Sequence, residues 1–308
     1  MGNDIENIDL RNTNRTQVSS LRCSDASTNF VYISDKLKDF YSDTYKRLTK
    51  LFDDMGIEWG EVKGTKDIWI RDYMPIQVTD NLFLLYNYSP DYLGKKKRFQ
   101  TDSYTIYRNV ITKSCNCEDT GLILDGGNVV TCAGFKVLTE KVFKENGKKT
   151  DDEEFLHHLK DVLHSDIIIL PWHCEESKSS DDPLVDVYGH SDGFIQWVGG
   201  NRILMSNHKD SDPEEADKMV KRLKAKGFVV REMQFNVLKP EMDFNWAYIN
   251  YLHVGNNIIV PTFGISEDKQ ALEIVQKANP NCEVRGFRMR DIAANGGALH
   301  CITWNIKK

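Results

Sequence analysis

A structural unit that recurs along the chain most strongly constrains how these 308 residues can fold. The unit consists of an amphipathic helix, an apolar strand, a short polar motif and a β-hairpin, and it returns about every 50 to 70 residues. Units of this kind cannot bury their apolar faces alone, because each one needs a neighbouring copy to cover it. The chain is therefore predicted to fold as a diverged α/β repeat protein.

Paired apolar runs mark the hairpins, and capping residues mark the helices between them. Hairpins are predicted at residues 75–86, 122–131, 193–206 and 248–260, and single strands at 30–33, 57–62, 167–170, 228–230 and 284–289. The four main helices are predicted to begin at Ser34, Thr150, Asp212 and Ser266. These side chains carry oxygen atoms that accept hydrogen bonds from the first N–H groups of a helix.

A cyclic arrangement of the units would close the edges of the sheets and bring the same polar segment of each unit to one central axis. Five polar segments would meet there, at residues 69–72, 125–128, 189–192, 248–250 and 300–301. The predicted fold class is α/β, with five blades and pseudo-fivefold symmetry. A pair of βαβ domains ranks second, because no strand-to-helix junction carries a phosphate-binding glycine motif.

The segment at residues 295–305 carries the residue best suited to covalent chemistry. Gly296 and Gly297 permit a tight turn or a close backbone approach, and the apolar run behind them predicts a short strand that contains Cys301. A lone cysteine in a strand is most often a small buried apolar residue. The segments 69–73 and 189–193 favour a nucleophile instead, since they supply a histidine and two carboxylates in turn-like contexts.

The composition limits the kinds of molecule that the protein is expected to bind and the compartment in which it is expected. Forty basic against 46 acidic residues give a net charge of −6, which argues against nucleic acid and slightly favours a small cationic substrate. The chain has no run of about 18 apolar residues and no leader-like start, so neither a membrane span nor a signal peptide is expected. Seven dispersed cysteines fit a reducing compartment, and a cytoplasmic location is predicted. A homo-oligomer is compatible with these features.

The polar first residues predict a mobile N-terminal arm over residues 1–24, followed by one catalytic domain over residues 25–308. Cys115 and Cys117 are the only closely spaced cysteines, and a Cys-x-Cys pair without a second pair or a nearby histidine is a poor zinc signature. No metal site is predicted. Residues 175–187 and 88–103 are two candidate lids over the site.

Five short motifs follow one another along the chain. They are Trp-x-Arg-Asp-x-x-Pro at 69–75, Asp-Gly-Gly at 125–127, Gly-His-x-Asp at 189–192, Tyr-x-Asn at 248–250 and Gly-Gly-x-x-His-Cys-Ile-Thr at 296–303. In this order, over about residues 30–305, they resemble the agmatine deiminase and Porphyromonas-type peptidylarginine deiminase family. The resemblance implies the five-bladed α/β propeller (pentein) of guanidine-modifying enzymes, with neither a metal nor an organic cofactor.

The resemblance also implies a role for each motif. Cys301 is expected to attack the central carbon of a guanidinium as a thiolate, and His190 to act as general acid and base. Asp72 and Asp192 are expected to clamp the planar cation through charge-assisted hydrogen bonds. Further substrate-binding residues are expected to be Trp69, Asn250, Asp125 and Gly297. His300 would lie on the opposite face of the predicted strand from the cysteine, so a packing or orienting role is expected.

These expectations describe a guanidino-group deiminase, which forms a ureido product and ammonia through a covalent thiouronium. Agmatine or a related arginine derivative is favoured over arginine in a peptide, because the chain looks cytoplasmic and carries no added binding domain. The motifs depart from the agmatine-specific pattern, since Asp125 and Gly193 stand where glutamate and a second aspartate are usual.

Two other classes of protein compete with this interpretation. A papain-like thiol hydrolase uses the same residue types but gains nothing from two extra carboxylates. A catalytically inactive guanidine-binding protein would keep the clamps while losing Cys301 or His190, and both residues are present.

Overall fold

A computed structural model describes residues 23–90, 93, 97–111, 114–173 and 189–308. Within these residues, fifteen strands form five separate three-stranded sheets. In chain order the strands are β1 (Phe30–Ser34), β2 (Glu58–Val62), β3 (Ile76–Thr79), β4 (Leu82–Asn87), β5 (Asn116–Ile123), β6 (Val130–Cys132), β7 (Phe135–Thr139), β8 (Asp166–Leu170), β9 (Ile195–Trp197), β10 (Arg202–Met205), β11 (Val229–Glu232), β12 (Leu252–Val254), β13 (Asn257–Thr262), β14 (Glu283–Arg288) and β15 (Thr303–Ile306).

Every sheet has the same internal arrangement. The middle strand pairs antiparallel with one neighbour and parallel with the other. The strand orders are β15-β1-β2, β3-β4-β5, β6-β7-β8, β9-β10-β11 and β12-β13-β14. This repetition gives five equivalent blades, which confirms the predicted α/β fold class.

Helices connect the strands of each blade and line the junctions between blades. In the described part of the chain they are α1 (Lys36–Phe40), α2 (Ser42–Asp54), α3 (Ile70–Tyr73), α4 (Ser103–Ile106), α5 (Lys141–Glu145), α6 (Glu153–Val162), α7 (Pro213–Ala225), α8 (Met242–Asn245), α9 (Asp268–Ala278) and α10 (Arg290–Ala293). Short 3-10 turns lie at Asp25–Ser27, Lys97–Phe99, Tyr107–Asn109, Gly126–Asn128, Ser191–Gly193, His208–Asp210 and Trp246–Ile249.

Helix α7 shows how the local sequence produces these elements. Asp212 caps its start by accepting the backbone N–H of Glu215 at 2.8 Å, and a proline follows at the first helical position. Ala216, Met219 and Leu223 recur at helical spacing and are fully buried against the blade. The chain leaves the helix at Gly227, whose φ of 87° favours glycine.

The five polar segments occupy equivalent positions in the five blades. Each lies directly before the strand that pairs antiparallel with the middle strand, namely β3, β6, β9, β12 or β15. Neighbouring segments contact one another: helix α3 touches the turn Gly126–Asn128, that turn touches Ser191–Gly193, and Ser191–Gly193 touches Trp246–Ile249. Residues far apart in sequence therefore surround one centre.

The ring of blades is closed by the first and last strands of the described residues. Strand β15 pairs antiparallel with β1, with Ile306 opposite Phe30 and Thr303 opposite Ile33. Side chains and backbone around Asn29 and Lys308 bond across a separation of 279 residues. No helix among the described residues has the length and apolar character needed to cross a bilayer.

The hairpin predicted at residues 122–131 is wrong. Residues 122–123 end β5, which belongs to the second blade, and the turn Gly126–Asn128 then leads into β6 of the third. The actual hairpin joins β6 to β7 through Ala133 and Gly134, which have φ values of 43° and 91°. The Gly-Gly pair was mistaken for a hairpin turn, although it forms the junction between two blades.

Other predicted boundaries also differ from the structure. Ser34 belongs to β1, and the helix expected behind it is interrupted at Tyr41 into α1 and α2. Asp152 caps α6, not Thr150, by accepting the N–H of Phe155 at 2.8 Å. Cys301 lies in a turn that ends before β15, not in a strand. His300 and Cys301 therefore do not lie on opposite faces of a strand.

The boundary of the N-terminal arm can be compared only in part, since residues 1–22 lie outside the described residues. Cys23 is buried, and its backbone N–H donates to the carbonyl of Val78 at 2.9 Å. The folded part of the chain thus includes Cys23 and Ser24, two residues that were assigned to the arm.

Candidate active site

The turn from Trp69 to Asp72 brings the first carboxylate to the centre of the ring. The backbone N–H of Arg71 donates to the carbonyl of Cys301 at 3.2 Å and so joins this turn to the last blade segment. The Asp72 side chain is buried, and its Oδ1 accepts the N–H of Gly127 at 3.0 Å. The Arg71 guanidinium binds Asn305 and the carbonyl of His300, so it is engaged elsewhere.

Gly127 marks the point where three predicted site residues converge. A Cβ atom added there would lie 2.7 Å from Asp72 Oδ1, 2.9 Å from His190 Nδ1 and 3.2 Å from Asp192 Oδ2. Contacts this short leave no room for a side chain, so the close approach requires glycine. The two carboxylates and the imidazole therefore face one small space in front of the Gly-Gly turn.

Cys301 lies at the edge of the same space. Its Sγ is 3.8 Å from Asp192 Oδ2, a distance at which the thiol donates a hydrogen bond. Burial raises the pKa of the Cys301 thiol well above its usual value, and the carboxylates of Asp192 and Asp72 raise it further. The thiol is therefore neutral at pH 7 unless a cation binds beside these carboxylates, because positive charge favours the thiolate.

His190 is held between two carboxylates. Its Nε2 lies 3.0 Å from Asp125 Oδ2 and its Nδ1 lies 3.6 Å from Asp72 Oδ1. Burial lowers the pKa of His190, but Asp72 and Asp125 outweigh this effect and raise it to about 10. For Asp72, burial has the opposite effect and raises the pKa to about 6, and the positive charge of His190 limits this rise. His190 is thus an imidazolium at neutral pH and able to donate a proton.

Asp125 was expected to contact the substrate, and the structure places it behind His190 instead. The side chain is 1% exposed, and its Oδ2 accepts hydrogen bonds from His190 and from Lys141, the latter at 2.9 Å. Burial raises the pKa of Asp125, but Lys141 and His190 hold it well below its usual value. The structure does not support the predicted substrate contact, because the Asp125 side chain is buried and its Oδ2 is bonded to these two partners.

Asn250, expected as a pocket wall, braces the segment that carries the cysteine. Its Oδ1 accepts the N–H of Ala298 at 3.1 Å and that of Cys301 at 3.3 Å, and its Nδ2 donates to the carbonyl of Asp192 at 3.3 Å. The side chain is buried and its amide is occupied by backbone groups. Asn250 therefore joins two site segments rather than facing a ligand.

Trp69 and Gly297 lie against each other beside the cysteine segment. A Cβ added to Gly297 would stand 2.3 Å from Cζ3 of Trp69, so the indole ring packs directly on the glycine backbone. The ring is half-buried and Gly297 is buried. This arrangement leaves part of Trp69 open to a ligand and makes Gly297 its support.

His300 forms a second network on the other side of Asp192. Its Nδ1 lies 2.6 Å from Asp192 Oδ2 and its Nε2 lies 3.0 Å from Asp25 Oδ2. Burial and the nearby Arg71 lower the pKa of His300, but Asp25 and Asp192 raise it by more. An orienting role agrees with these contacts, although the strand alternation that suggested it does not exist.

Sequence reasoning missed three residues of these networks. Lys141 and Glu145 stand four residues apart on α5, a spacing typical of exposed helix pairs, yet their side chains are 0% and 3% exposed. Asp25 lies at the expected end of the mobile arm, where nothing in the sequence signals a contact with His300. Lys141 directly precedes Val142 and Phe143, and a lysine next to such apolar residues could have indicated burial.

Among the described residues, one group of side chains has the spacing of metal ligands. His173, Asp212 and Glu215 place ligand atoms within 4.8 Å of one another. Asp212 is the cap of α7, however, and Glu215 Oε2 pairs with Nε2 of His208 at 2.6 Å.

Of the two candidate lids, residues 175–187 lie outside the described residues, and the described part of 88–103 includes the turn Lys97–Phe99.

The five equivalent blades form an α/β propeller of the pentein fold class. A solved agmatine deiminase of C. jejuni has a TM-score of 0.70 at 19% identity, with 94% of this chain and 96% of that chain covered. An amidinotransferase from Microseira wollei has a TM-score of 0.60 at 11% identity, with 94% and 97% covered. At these identities the likeness establishes a shared fold.

The family follows from the sequence. The model of the Porphyromonas-type peptidyl-arginine deiminase family matches residues 28–306, and the chain belongs to this family. An agmatine deiminase of Pseudomonas syringae pv. syringae is 26% identical over 218 residues, which are 59% of this chain and 56% of that protein. The chain thus matches less than two thirds of the length of this relative.

Proposed function

We propose that the protein is a guanidino-group deiminase, which hydrolyses a guanidinium to a ureido group and ammonia. The observation that carries the proposal is the convergence of Asp72, His190 and Asp192 on the space in front of Gly127, with Cys301 Sγ 3.8 Å from Asp192. A guanidinium is planar and cationic, and its paired N–H donors match carboxylate oxygens. The site combines two such carboxylates with a thiol and a proton donor.

Substrate binding prepares the nucleophile. The guanidinium is held by Asp72 and Asp192, and its positive charge compensates the two carboxylates that raise the pKa of Cys301. The thiol proton passes to Asp192 along the existing hydrogen bond, and Sγ forms a bond to the guanidinium carbon. The free thiol stays unreactive, so the nucleophile forms only when a cation is present.

His190 then moves protons in both half-reactions. Its imidazolium protonates one nitrogen of the tetrahedral intermediate, the C–N bond breaks, and ammonia leaves with a thiouronium on Cys301. The neutral imidazole next takes a proton from water while the water oxygen attacks the same carbon. The C–S bond breaks, the sulfur takes its proton back from Asp192, and the ureido product is released after it gives its extra proton to ammonia. The sum is guanidinium plus water giving ureido compound plus ammonium.

We propose a small guanidino compound such as agmatine as the substrate, with arginine in a peptide as the second candidate. Two of the proteins compared above are named agmatine deiminase, whereas the family name refers to peptidyl arginine. A colorimetric ureido assay across agmatine, arginine, methylated arginines and arginyl peptides tests the choice. Citrulline formed in peptides without turnover of agmatine or arginine would contradict it.

The chemical proposal is tested separately with two cysteine variants. Cys301→Ala should abolish turnover while guanidinium binding persists, because only the nucleophile is removed. Cys132→Ala is the matched control, since this thiol is also buried but lies in β6. Alkylation by iodoacetamide should inactivate the protein at Cys301, and saturating agmatine should slow it. Wild-type activity in Cys301→Ala would show that the proposed mechanism is wrong.

We also propose a cytoplasmic location and a single catalytic domain over residues 25–308. The six cysteines among the described residues form no disulfide, which fits a reducing compartment. Homo-oligomer formation and the lack of a nucleic-acid partner stay predictions from the sequence.

A further inference from the structure

A lysine that the proposed mechanism does not use lies directly behind His190. Lys141 begins helix α5, its side chain is 0% exposed, and its Nζ lies 2.9 Å from Asp125 Oδ2 and 3.4 Å from His190 Nε2. Removing an ammonium group from water is costly unless its charge and hydrogen bonds are matched. Its place beside the proposed acid and base therefore needs a chemical explanation.

The lysine and the histidine share one oxygen atom. Asp125 Oδ2 accepts hydrogen bonds from Lys141 Nζ and, at 3.0 Å, from His190 Nε2. The negative charge of Asp125 is thereby divided between two cations. The ammonium group also repels the proton on the neighbouring ring nitrogen, since the two charges lie close together in a buried site.

The other titratable groups around His190 are acidic. They include Asp72 from α3, Asp125 from the turn before β6, Asp192 from its own turn and Glu145 from α5. Carboxylates alone would hold the imidazolium proton more strongly than a cluster that also contains a cation. Lys141 supplies the opposing positive charge.

Glu145 completes the cluster as a neutral acid. Its side chain is 3% exposed, its Oε1 lies 3.5 Å from Lys141 Nζ, and burial together with Asp125 raises the pKa of Glu145 well above its usual value. Within the described residues, both of its oxygens and Asp125 Oδ1 lack a hydrogen-bond partner. A proton on Glu145 would satisfy Asp125 Oδ1 without adding negative charge near His190.

We propose that Lys141 is a positioning residue that sets how strongly His190 holds its proton, through the carboxylate of Asp125 that the two share and through direct repulsion between the two cations. The inference rests on the proposed function, in which His190 gives a proton to the leaving nitrogen and then removes one from water. A lysine with only a structural role would stabilise the fold but would leave the protonation of His190 unchanged when replaced.

The test is an NMR titration of the His190 ring in protein with ¹⁵N-labelled histidine, the signal being assigned from a His190→Gln sample. The wild type should titrate with a midpoint near the pKa of about 10. Lys141→Met should move the midpoint upward by roughly one to three pH units, because the repelling charge is gone. Lys141→Arg should restore a midpoint close to that of the wild type.

Lys144→Met is the matched control, because it removes the same charge from an exposed position on the same helix. It should leave the midpoint unchanged. If Lys141→Met does not fold, the pair Asp125→Asn and Asp125→Asn/Lys141→Met replaces it, since the double variant leaves no unmatched carboxylate at this position. The added Lys141→Met should again raise the midpoint. An unchanged midpoint, or an equal shift in Lys144→Met, would overturn the inference.

The titration needs no turnover, so it separates this inference from the proposed function. A raised midpoint in Lys141→Met, in a protein that hydrolyses no guanidino compound, would support the role of Lys141 and contradict the deiminase proposal. An active wild type whose His190 midpoint and alkaline loss of kcat are both unchanged by Lys141→Met would contradict the inference alone.

Discussion

Two buried histidines flank the candidate nucleophile, and each lies between two carboxylates. His190 contacts Asp72 and Asp125, whereas His300 contacts Asp192 and Asp25. Each also has a cation nearby, Lys141 beside the first and Arg71 beside the second. The two assemblies have the same charge pattern, yet the structure gives them different access to the reacting atoms.

The two histidines differ in the exposure of their side chains and in the contacts of their ring nitrogens. The His190 side chain is 13% exposed, and its Nδ1 faces the space in front of Gly127. The His300 side chain is 3% exposed, and both of its ring nitrogens are bonded to carboxylates. A ring with an open face can exchange protons with a ligand, while a ring bonded on both sides can only orient its neighbours. We therefore propose that His190 transfers protons and that His300 positions Asp192.

Replacing His190 should have the largest effect. His190→Gln should lower kcat by roughly 10²- to 10⁴-fold with little change in KM, because proton transfer is lost while the clamps remain. Mass spectrometry of the quenched variant should detect an adduct on Cys301. His157→Gln, at an exposed position on α6, is the control. A larger loss of kcat in His300→Gln than in His190→Gln would reverse the two assignments.

The carboxylates of the clamp come next. Asp72→Asn and Asp192→Asn should each weaken guanidinium binding by roughly 10- to 100-fold, since each removes a charge-assisted contact. Asp192→Asn should also lower kcat, because Asp192 Oδ2 is bonded to His300 and to the Cys301 thiol. Steady-state kinetics with agmatine, combined with binding to the Cys301→Ala background, separate the two effects. Equal changes in KM and kcat for both variants would remove the distinction between the two sides.

The pH profile should also distinguish the two histidines. Beyond each limit of the profile, the rate should fall by about tenfold per pH unit. The pKa of His190 is raised to about 10, so the imidazolium persists below that pH and kcat should fall above it. The pKa of Asp72 is raised to about 6, so kcat/KM should fall below that pH as the clamp becomes protonated. His300→Gln should leave the alkaline limit in place, and its displacement would show that His300 also transfers protons.

Of the four variants, His300→Gln should have the smallest effect on kcat. It removes one hydrogen bond to Asp192 and leaves the site residues in place, so a loss of kcat of about 10-fold or less is expected. The measurement is kcat at pH 8 together with the thermal unfolding midpoint. A loss that comes from unfolding would lower both, whereas a displaced Asp192 would lower kcat alone.

The repeated hairpins and strands made the five blades predictable, because their apolar periodicity depends on local sequence. The site could be assembled from Asp72, His190, Asp192 and Cys301 because each lies in the equivalent segment before a blade strand. The turn around Cys301 was missed, since Ala298, Leu299 and Ile302 are all buried and give no signal that separates a buried turn from a strand.

Contacts between segments explain what the sequence could not predict. Whether Lys141 is solvated or buried depends on how α5 packs behind His190, and a lysine beside a glutamate on a helix is usually exposed. The same holds for Asp25, whose partner His300 is 275 residues away. Asp125 was assigned to the substrate because its motif lies next to the site, and only the packed side chains reveal that it binds His190.

The pairing of β15 with β1 determines when, during folding, the candidate active site is completed. Cys301 stands two residues before β15, so the thiol reaches the carboxylates only when the ring has closed. Contacts this distant in sequence form late in folding, because the entropy of closing the intervening loop must be overcome first. A chain with four finished blades would hold its clamp and its imidazole but no nucleophile. Regain of the proposed activity during refolding would therefore report the final step of assembly, and local opening of the β1–β15 pairing would abolish that activity before the other blades unfold.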